Sequence, residues 1–264
     1  PLDWGNLVHS FLERLMEPWL SEKTPLKEIA KAMLRSEAKA LRQAARKFSS
    51  QLSQRLEVLP PVFRQAELNK LEETVKSYFE EVVKETVTGG IPTELEFKRR
   101  VPFPGLEGLL ISGKMDRIDQ GDGQFRIYDY KSGRTPKKKD LKREVFLGYR
   151  VQPILYPWIY RQQNPEAEAE FSFIVLGLSP PQEMEVTDRP AAEEFLRPLA
   201  EILEKGMYLP TPTETLKLNG IEGADSCRYC EFVSLCRRFD PGAQRRYAGF
   251  SEKHISSRLE AMKS

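Results

Sequence analysis

The chain has 264 residues, of which 40% are hydrophobic and 30% are charged, and its formal net charge at pH 7 is +2. This composition is that of a globular protein long enough to bury a sizeable core. The small net charge does not by itself indicate a nucleic-acid ligand. No apolar stretch is long enough to span a membrane, and the N-terminus lacks the pattern of a secretory signal. Because the first residue is Pro1 rather than Met, we expect the sequence to be part of a longer chain.

The first ninety residues are predicted to be helical. His9 lies in the helical stretch GNLVHSFLERL, where a lone histidine is more often a core residue than a ligand. Two apolar stripes with helical spacing follow. The first comprises Leu26, Ile29, Met33, Leu34, Leu41, Ala45, Phe48 and Leu52, and the second comprises Leu68, Leu71, Val75, Tyr78, Phe79 and Val82. Gly89, Gly90 and Pro92 are expected to end this region.

The chain then changes to the periodicity of strands. TELEFKRRV, LLISGKMDRID and QFRIYDYK are predicted to be three strands joined by turns rich in Pro and Gly. A helical stretch from about 138 to 162, the buried run FSFIVLGL and the strand EMEV come next. A last helix opens at Asp188 and Pro190 and closes at Gly206. These elements predict an α/β or α+β core, a short mixed sheet flanked by helices, with a helical N-terminal elaboration.

The tripeptide pattern D-x-K occurs twice, and only its first copy lies in a predicted strand. Asp129 and Lys131 end the strand QFRIYDYK, on the face that carries Phe125 and Ile127. The second copy begins at Asp140 in the polar stretch KKKDLKREV, which is typical of the solvated start of a helix. The first copy therefore places a carboxylate and an ammonium on an otherwise apolar face, where they need a chemical explanation.

A second carboxylate is expected beside the first. The preceding strand ends with GKMDRID, which places Asp116 thirteen residues before Asp129. Antiparallel pairing of the two strands would bring the two carboxylates together. Like charges held so close are costly unless a cation bridges them, and hard divalent ions such as Mg²⁺ prefer oxygen ligands. Lys131 would point to the same place, where it can orient or deprotonate a water and balance charge on a phosphate. The alternative is an Asp–Lys pair on an edge strand.

Basic residues are clustered on both sides of this strand. Lys98, Arg99 and Arg100 precede it, and a longer run follows it. That run comprises Arg134, Lys137, Lys138, Lys139, Lys142 and Arg143. Such runs are commonly solvated faces, but next to a carboxylate site they favour a patch that attracts phosphates.

The three cysteines lie close together near the C-terminus. Cys227, Cys230 and Cys236 form the pattern C-x2-C-x5-C, which indicates a metal site rather than a secreted disulfide framework and favours an intracellular protein. The spacing alone does not identify the metal, and zinc with His254 as a further ligand is one possibility.

Five motifs in order resemble a known family. They are G-x-x-x-H-x-x-L-E from Gly5 to Glu13, E-x-x-F from Glu94 to Phe97, G-x-x-D-R-I-D from Gly113 to Asp119, D-Y-K-S-G from Asp129 to Gly133, and Q-x-x-x-Y from Gln152 to Tyr156. Together they resemble the RecB-type nucleases of the PD-(D/E)XK superfamily. The resemblance covers residues 5 to 236 and implies a restriction-endonuclease-like mixed sheet.

The resemblance also implies a role for each matched residue. His9, Asp116, Asp129 and the backbone carbonyl of Tyr130 would bind Mg²⁺ or Mn²⁺. Lys131 would be the catalytic lysine, and Gln152 and Tyr156 would line the site, although Pro153 and Pro157 follow them and can kink their helix. The strand glutamate of the family is Glu94 or Glu96, and the E-x-x-F spacing favours Glu94.

The cysteine pattern resembles the iron–sulfur staple of AddB-type nuclease domains, where a first cysteine lies upstream of the histidine motif. No cysteine precedes Cys227 here, so we expect the [4Fe–4S] cluster of the intact protein to be incomplete in this chain. The resemblance implies a DNA nuclease, acting on single-stranded ends beside a helicase domain or subunit, in the cytoplasm with the nucleoid. The alternatives are a DNA-binding module that does not cleave and a structural nuclease-like module of a helicase complex.

We predict one nuclease domain over residues 1–264. It would consist of a helical region from 1 to 90, a nuclease core from 91 to 209, and a cysteine-cluster and helical tail from 210 to 264.

Overall fold

The computed structural model describes residues 4–35, 43, 44, 47, 60–121, 123–133, 138–146, 148, 150–187, 189–204, 241 and 242. Backbone contacts divide the chain into two compact units. The first consists of Pro1–Val101, Leu110–Lys138 and Leu155–Asp188, and the second of Pro102–Leu109, Lys139–Ile154 and Arg189–Ser264. Within the described ranges, no helix is both long enough and apolar enough to cross a membrane.

Three helices of the first unit precede its sheet. They are α1 (Trp4–Leu20), α2 (Leu26–Arg35) and α3 (Pro61–Val83). On α1 the buried side chains recur at helical spacing, which gives the helix one apolar face: Leu7, Val8, Phe11, Leu12, Leu15 and Met16. The second predicted stripe is confirmed, because all six of its residues are buried on α3. The part of the first stripe from Leu41 to Leu52 lies outside the described residues, which in this range are Gln43, Ala44 and Lys47.

The sheet has five strands in sequential order. They are β1 (Ile91–Pro102), β2 (Leu110–Gly121), β3 (Gln124–Lys131), β4 (Ala169–Val175) and β5 (Gln182–Glu185). β3 pairs with β2 antiparallel and with β4 parallel, and β4 pairs with β5 antiparallel. The predicted mixed sheet flanked by helices is therefore confirmed, and QFRIYDYK forms β3 with the bounds expected from its alternation.

The core of the first unit lies between its helices and one face of the sheet. Tyr128 and Tyr130 of β3 and Ile174 of β4 are buried in one cluster with the apolar faces of α1, α2 and α3. Successive strand residues point to opposite faces. Asp129 therefore points away from this cluster, between two tyrosines that point into it.

The remaining helices are α4 (Lys138–Phe146), α5 (Gln152–Arg161) and α6 (Ala192–Glu204). The single helical stretch expected from 138 to 162 is wrong, since the chain leaves helical geometry at Gly148, whose φ is +78°. A left-handed residue ends a helix, and glycine adopts it without steric cost. Pro153 lies in the first turn of α5, where its missing N–H has no helical partner to lose. Pro157 lies inside α5 without ending it.

Candidate functional site

Helix α1 and strands β2 and β3 bring three of the predicted site residues together. The register pairs Arg117 of β2 with Tyr128 of β3, so the next residues along the two strands are Asp116 and Asp129. Both aspartates are buried. His9 on α1 reaches the same place, where its Nδ1 lies 3.3 Å from Asp116 Oδ1.

The peptide group of Tyr130 joins these residues. Its N–H donates a hydrogen bond of 2.7 Å to Asp116 Oδ2. Its carbonyl oxygen lies 2.9 Å from His9 Nε2. The Tyr130 carbonyl, which the family resemblance implied as a metal ligand, therefore lies beside His9, and the N–H of the same residue contacts Asp116.

The imidazole of His9 has an oxygen acceptor beside each ring nitrogen. Burial by itself lowers the pKa of His9. The hydrogen bond and charge of Asp116, the Tyr130 carbonyl and the charge of Asp129 oppose this effect and raise the pKa above its ordinary value. The doubly protonated ring suits this environment. Binding of a metal by His9 must therefore release a proton.

Asp129 is buried beside another carboxylate and next to Lys131. Lys131 Nζ lies 2.5 Å from Asp129 Oδ2 and 5.3 Å from the centroid of the Phe173 ring. Burial and the charge of Asp116 raise the pKa of Asp129 to about 6, against the opposing charges of Lys131 and His9. One lysine thus leaves part of the carboxylate repulsion in place, and a further cation would relieve it.

Glu96 on β1 is the strand glutamate that approaches this site. Possible ligand atoms of His9, Glu96 and Asp116 all lie within 4.8 Å of one another. The φ of Glu96 is +50°, which is uncommon for a residue with a side chain and is of the kind found at functional sites. Its carboxylate also forms an ion pair with Lys114 of β2.

Glu94, which the motif spacing favoured, does not belong to that group of three. Burial raises the pKa of Glu94, and the charge of Arg99 opposes the rise. Burial, followed by the charge of Glu94, raises the pKa of Tyr160 to about 12. The electrostatic neighbours of Glu94 are thus Arg99 and Tyr160, and its catalytic role stays a prediction.

Helix α5 brings Tyr156 to the two aspartates. Burial raises the pKa of Tyr156, and the charges of Asp129 and Asp116 raise it further. A Cβ at Gly113 of β2 would lie only 2.9 Å from Ile159 Cδ1 and 3.4 Å from Tyr156 Cε1. The glycine of the G-x-x-D motif therefore allows α5 to pack closely against β2, beside Asp116.

The other predicted site residues remain untested. Gln152 is the first residue of α5, and its contribution to the site stays a prediction. Cys227, Cys230, Cys236 and His254 lie outside the described residues.

The donors that meet here fit a hard divalent cation. They are an imidazole nitrogen of His9, carboxylate oxygens of Glu96 and Asp116, and the carbonyl oxygen of Tyr130. Asp129 does not belong to the group of three formed by His9, Glu96 and Asp116, but its charge acts on both Asp116 and His9. Carboxylate and carbonyl oxygens suit Mg²⁺ and Mn²⁺. The repulsion that raises the pKa of Asp129 is a second reason, because a cation would remove it.

The sequence pattern gave Arg117 no role, although it lies inside the D-R-I-D motif. Strand alternation places Arg117 on the opposite face from Asp116, and that face is covered by the N-terminal helices. A buried guanidinium needs polar or charged partners. An arginine on the apolar face of a predicted strand could therefore have indicated a buried polar cluster around Arg117.

A family model described as the PD-(D/E)XK nuclease superfamily matches residues 1–237. The fold and the site thus define a metal-dependent nuclease fold, and the chain belongs to the PD-(D/E)XK nuclease superfamily. A solved structure described as the crystal structure of SSO0001 is 20% identical in sequence to this chain, with a TM-score of 0.35. The superposition covers 74% of this chain and 80% of the chain of that structure. That likeness is too weak to bear on fold or activity. A search of curated proteins found no match.

Proposed function

We propose that the protein is a deoxyribonuclease that depends on Mg²⁺ or Mn²⁺ and hydrolyses phosphodiester bonds. The observation that carries this proposal is the pair of buried carboxylates, Asp116 and Asp129, with Lys131 2.5 Å from one of them. When bound, the divalent ion supplies Lewis-acid chemistry, which activates water and polarises a phosphoryl oxygen. Membership of the nuclease superfamily supports the same reaction.

The chain's own residues would divide the work between holding the ion and assisting the reaction. His9, Asp116, Asp129 and the Tyr130 carbonyl hold the ion in this proposal. The side chain of Lys131 is 26% exposed, so that a phosphate can reach its ammonium. There it can orient or deprotonate the attacking water and balance the charge that develops on the phosphate.

Three further residues are assigned to the edge of this site. Glu96 is proposed as an additional ligand because its carboxylate lies near the possible ligand atoms of His9 and Asp116. Glu94 is the alternative that the motif spacing favours. Tyr156 is proposed to line the site from α5, because the charges of Asp129 and Asp116 act on it. Gln152 is assigned to the site from the family resemblance.

DNA is the substrate that the proposal assigns, and single-stranded ends are its preferred form. Lys98, Arg99 and Arg100 are exposed near the end of β1, the strand that also carries Glu96. Exposed cations on a strand next to a phosphodiester site attract the DNA backbone.

The biological setting is proposed from the five motifs in the sequence. The protein would be an AddB-type nuclease domain that works with a helicase domain or subunit in DNA recombination and repair, in the cytoplasm with the nucleoid. Cys227, Cys230 and Cys236 would supply three ligands of a [4Fe–4S] cluster. Because the chain has three cysteines, we expect it to purify with little or no iron. Stoichiometric zinc that is lost in His254→Ala would favour the zinc site instead.

The test of the nuclease proposal is degradation of linear single-stranded DNA by the full chain. We expect cleavage with Mn²⁺ or Mg²⁺ and none with EDTA, at several protein concentrations. A preparation of Lys131→Ala purified in parallel controls for contaminating nucleases. Equal product with and without EDTA, or equal product from the variant, would contradict the proposal.

One observation favours a second candidate, a DNA-binding module that does not cleave. The imidazole of His9 already contacts both Asp116 and the Tyr130 carbonyl, and Lys131 pairs with Asp129, so cations of the chain itself already offset part of the charge of the two carboxylates. Binding of single-stranded DNA in EDTA, together with no cleavage under any metal, would favour this candidate.

A further inference from the structure

A buried charge pair lies on the opposite face of β2 from Asp116. Alternate residues of the D-R-I-D motif point to opposite faces, so Arg117 and Asp119 share the face turned away from Asp116. Arg117 Nε lies 2.8 Å from Asp119 Oδ1. The two residues are 0% and 1% exposed. The N–H of Gly90 donates a hydrogen bond of 3.1 Å to the other oxygen of Asp119, Oδ2.

The guanidinium of Arg117 also holds two tyrosine hydroxyls. Its Nη1 donates a hydrogen bond of 2.6 Å to the Tyr130 hydroxyl and another to the Tyr78 hydroxyl. Its Cζ lies 4.1 Å from the centroid of the Tyr128 ring. Because a guanidinium is planar and its donors have fixed directions, the position of Arg117 fixes where the Tyr130 hydroxyl can lie.

Tyr130 connects this pair to the candidate metal site. Its hydroxyl contacts Arg117 on one side of the strand, while its N–H and carbonyl contact Asp116 and His9. Tyr78 shares the same guanidinium, but in the described structure its own backbone belongs to the middle of α3. Its ring packs edge-on against the Tyr130 ring, with the centroids 5.9 Å apart. Of the two tyrosines, Tyr130 is the one whose own backbone contacts Asp116 and His9.

We propose that Arg117 is a positioning residue for the metal site, held by Asp119 and acting through the side chain and peptide group of Tyr130 on His9 and Asp116. This inference rests on the proposed function, because the groups that it positions are the ion's proposed ligands. Burial of an ion pair gives little net stability compared with packed apolar side chains. Hydrogen bonds behind metal ligands, in contrast, commonly change metal affinity by about 10- to 100-fold when they are removed.

The experiment compares Tyr130→Phe with Tyr78→Phe in the full chain. Each substitution removes one hydroxyl that accepts a hydrogen bond from Arg117, at positions that are 2% and 0% exposed. We expect both to lower the urea midpoint by a similar amount. Titration calorimetry should show Mn²⁺ Kd raised about tenfold or more in Tyr130→Phe, and changed by less than about twofold in Tyr78→Phe.

A second readout needs no metal. The chain has two histidines, and comparison with His254→Gln assigns the ring resonances of His9 in NMR spectra. These resonances should move in Tyr130→Phe and stay in place in Tyr78→Phe, because of these two tyrosines Tyr130 is the one that contacts His9. The Tyr130 ring lies 5.8 Å from the His9 ring, so Arg117→Lys, which retains both rings, should also move the His9 resonances if Arg117 positions the site. If wild type does not bind Mn²⁺, the proposed function fails, and the His9 resonances alone decide whether Arg117 positions the site.

Two results would overturn the inference. One is an unchanged Kd and unchanged His9 resonances in Tyr130→Phe, and the other is an equal effect of both substitutions. If Tyr130→Phe does not fold, Arg117→Lys replaces it, because lysine keeps the charge beside Asp119 but lacks the planar fork. That variant should raise the Mn²⁺ Kd in the same way, and wild-type affinity in it would equally overturn the inference.

Discussion

Both faces of strands β2 and β3 carry buried charges, but the charges are arranged differently. On the face covered by the N-terminal helices, one guanidinium meets one carboxylate, Arg117 with Asp119. On the other face two carboxylates lie near each other, Asp116 and Asp129, and the ammonium of Lys131 neutralises only part of their repulsion.

The two faces of these strands are therefore expected to have different roles, one structural and one functional. In the balanced pair each buried charge has an opposite charge beside it, which offsets part of the cost of burial. Two neighbouring carboxylates lack such a balance. Such arrangements are typical of sites where a bound cation or a reaction uses the negative charge. The site face is therefore the one expected to bind metal, and the helix-covered face is expected to support it.

The largest expected effect on folding comes from breaking the balanced pair. Asp119→Ala leaves the Arg117 guanidinium buried without its carboxylate, which should lower the free energy of unfolding by about 3–5 kcal/mol. Urea denaturation in EDTA measures it. The control is Glu170→Ala, which breaks the partly exposed pair with Arg126 and should cost at most about 1 kcal/mol. Equal costs would show that burial does not distinguish the two pairs.

Removal of the lysine on the site face should affect catalysis rather than folding. Lys131→Ala deletes the cation that would balance charge on the phosphate, so cleavage should fall by about 10²- to 10³-fold. Binding of Mn²⁺ should survive or tighten, since a nearby positive charge has gone. Initial rates on single-stranded DNA at saturating Mn²⁺ test this, and a variant with wild-type rates would remove Lys131 from the mechanism.

Burial of Asp129 beside Asp116 should appear as a pH dependence of stability. In the folded chain the pKa of Asp129 is raised from 3.8 to about 6, so the folded state binds the proton more tightly than the unfolded state. The contribution of Asp129 to stability is therefore most favourable below pH 3.8 and is lost as the pH rises through about 6. Asp129→Asn lacks this titration.

Urea denaturation in EDTA checks this prediction. Between pH 4 and pH 7 the stability of Asp129→Asn relative to wild type should increase by on the order of 1–3 kcal/mol. A difference that stays constant with pH would show that burial and Asp116 do not raise the pKa of Asp129.

A smaller effect distinguishes the two glutamates of β1. Glu96→Gln should raise the Kd for Mn²⁺ by about tenfold, or about 1.4 kcal/mol, because one candidate ligand is lost. Glu94→Gln is the matched control, two residues earlier on the same strand, and should leave the Kd near the wild-type value. The reverse outcome would restore the assignment that the E-x-x-F spacing favoured.

Much of the fold followed from periodicity in the sequence. The alternation in QFRIYDYK predicted both the bounds of β3 and the direction of Asp129 relative to Tyr130, because burial on each face selects side chains at every second position. The stripe that begins at Leu68 predicted the buried face of α3 for the same reason, with helical spacing.

The remaining features depend on geometry that no periodic pattern encodes. The approach of Glu96 accompanies a positive φ at that residue, which its own side chain does not favour. The hydrogen-bond partners of Arg117 include Tyr78, which is 39 residues away along the chain. The break at Gly148 could have been suspected from the glycine, but many glycines lie inside helices.

Binding of Mn²⁺ to Asp129→Ala is the measurement that tests the central claim most directly. Metal that binds only the folded state stabilises it by about 2.7 kcal/mol at a hundred times Kd. Wild type and Lys131→Ala should therefore melt at a higher temperature with Mn²⁺, and Asp129→Ala should show no shift and no cleavage. Asp140→Ala and Lys142→Ala, in the second D-x-K copy on α4, should keep the shift and most of the activity. A shift that survives in Asp129→Ala and disappears in the α4 variants would contradict a metal-dependent nuclease site at β3.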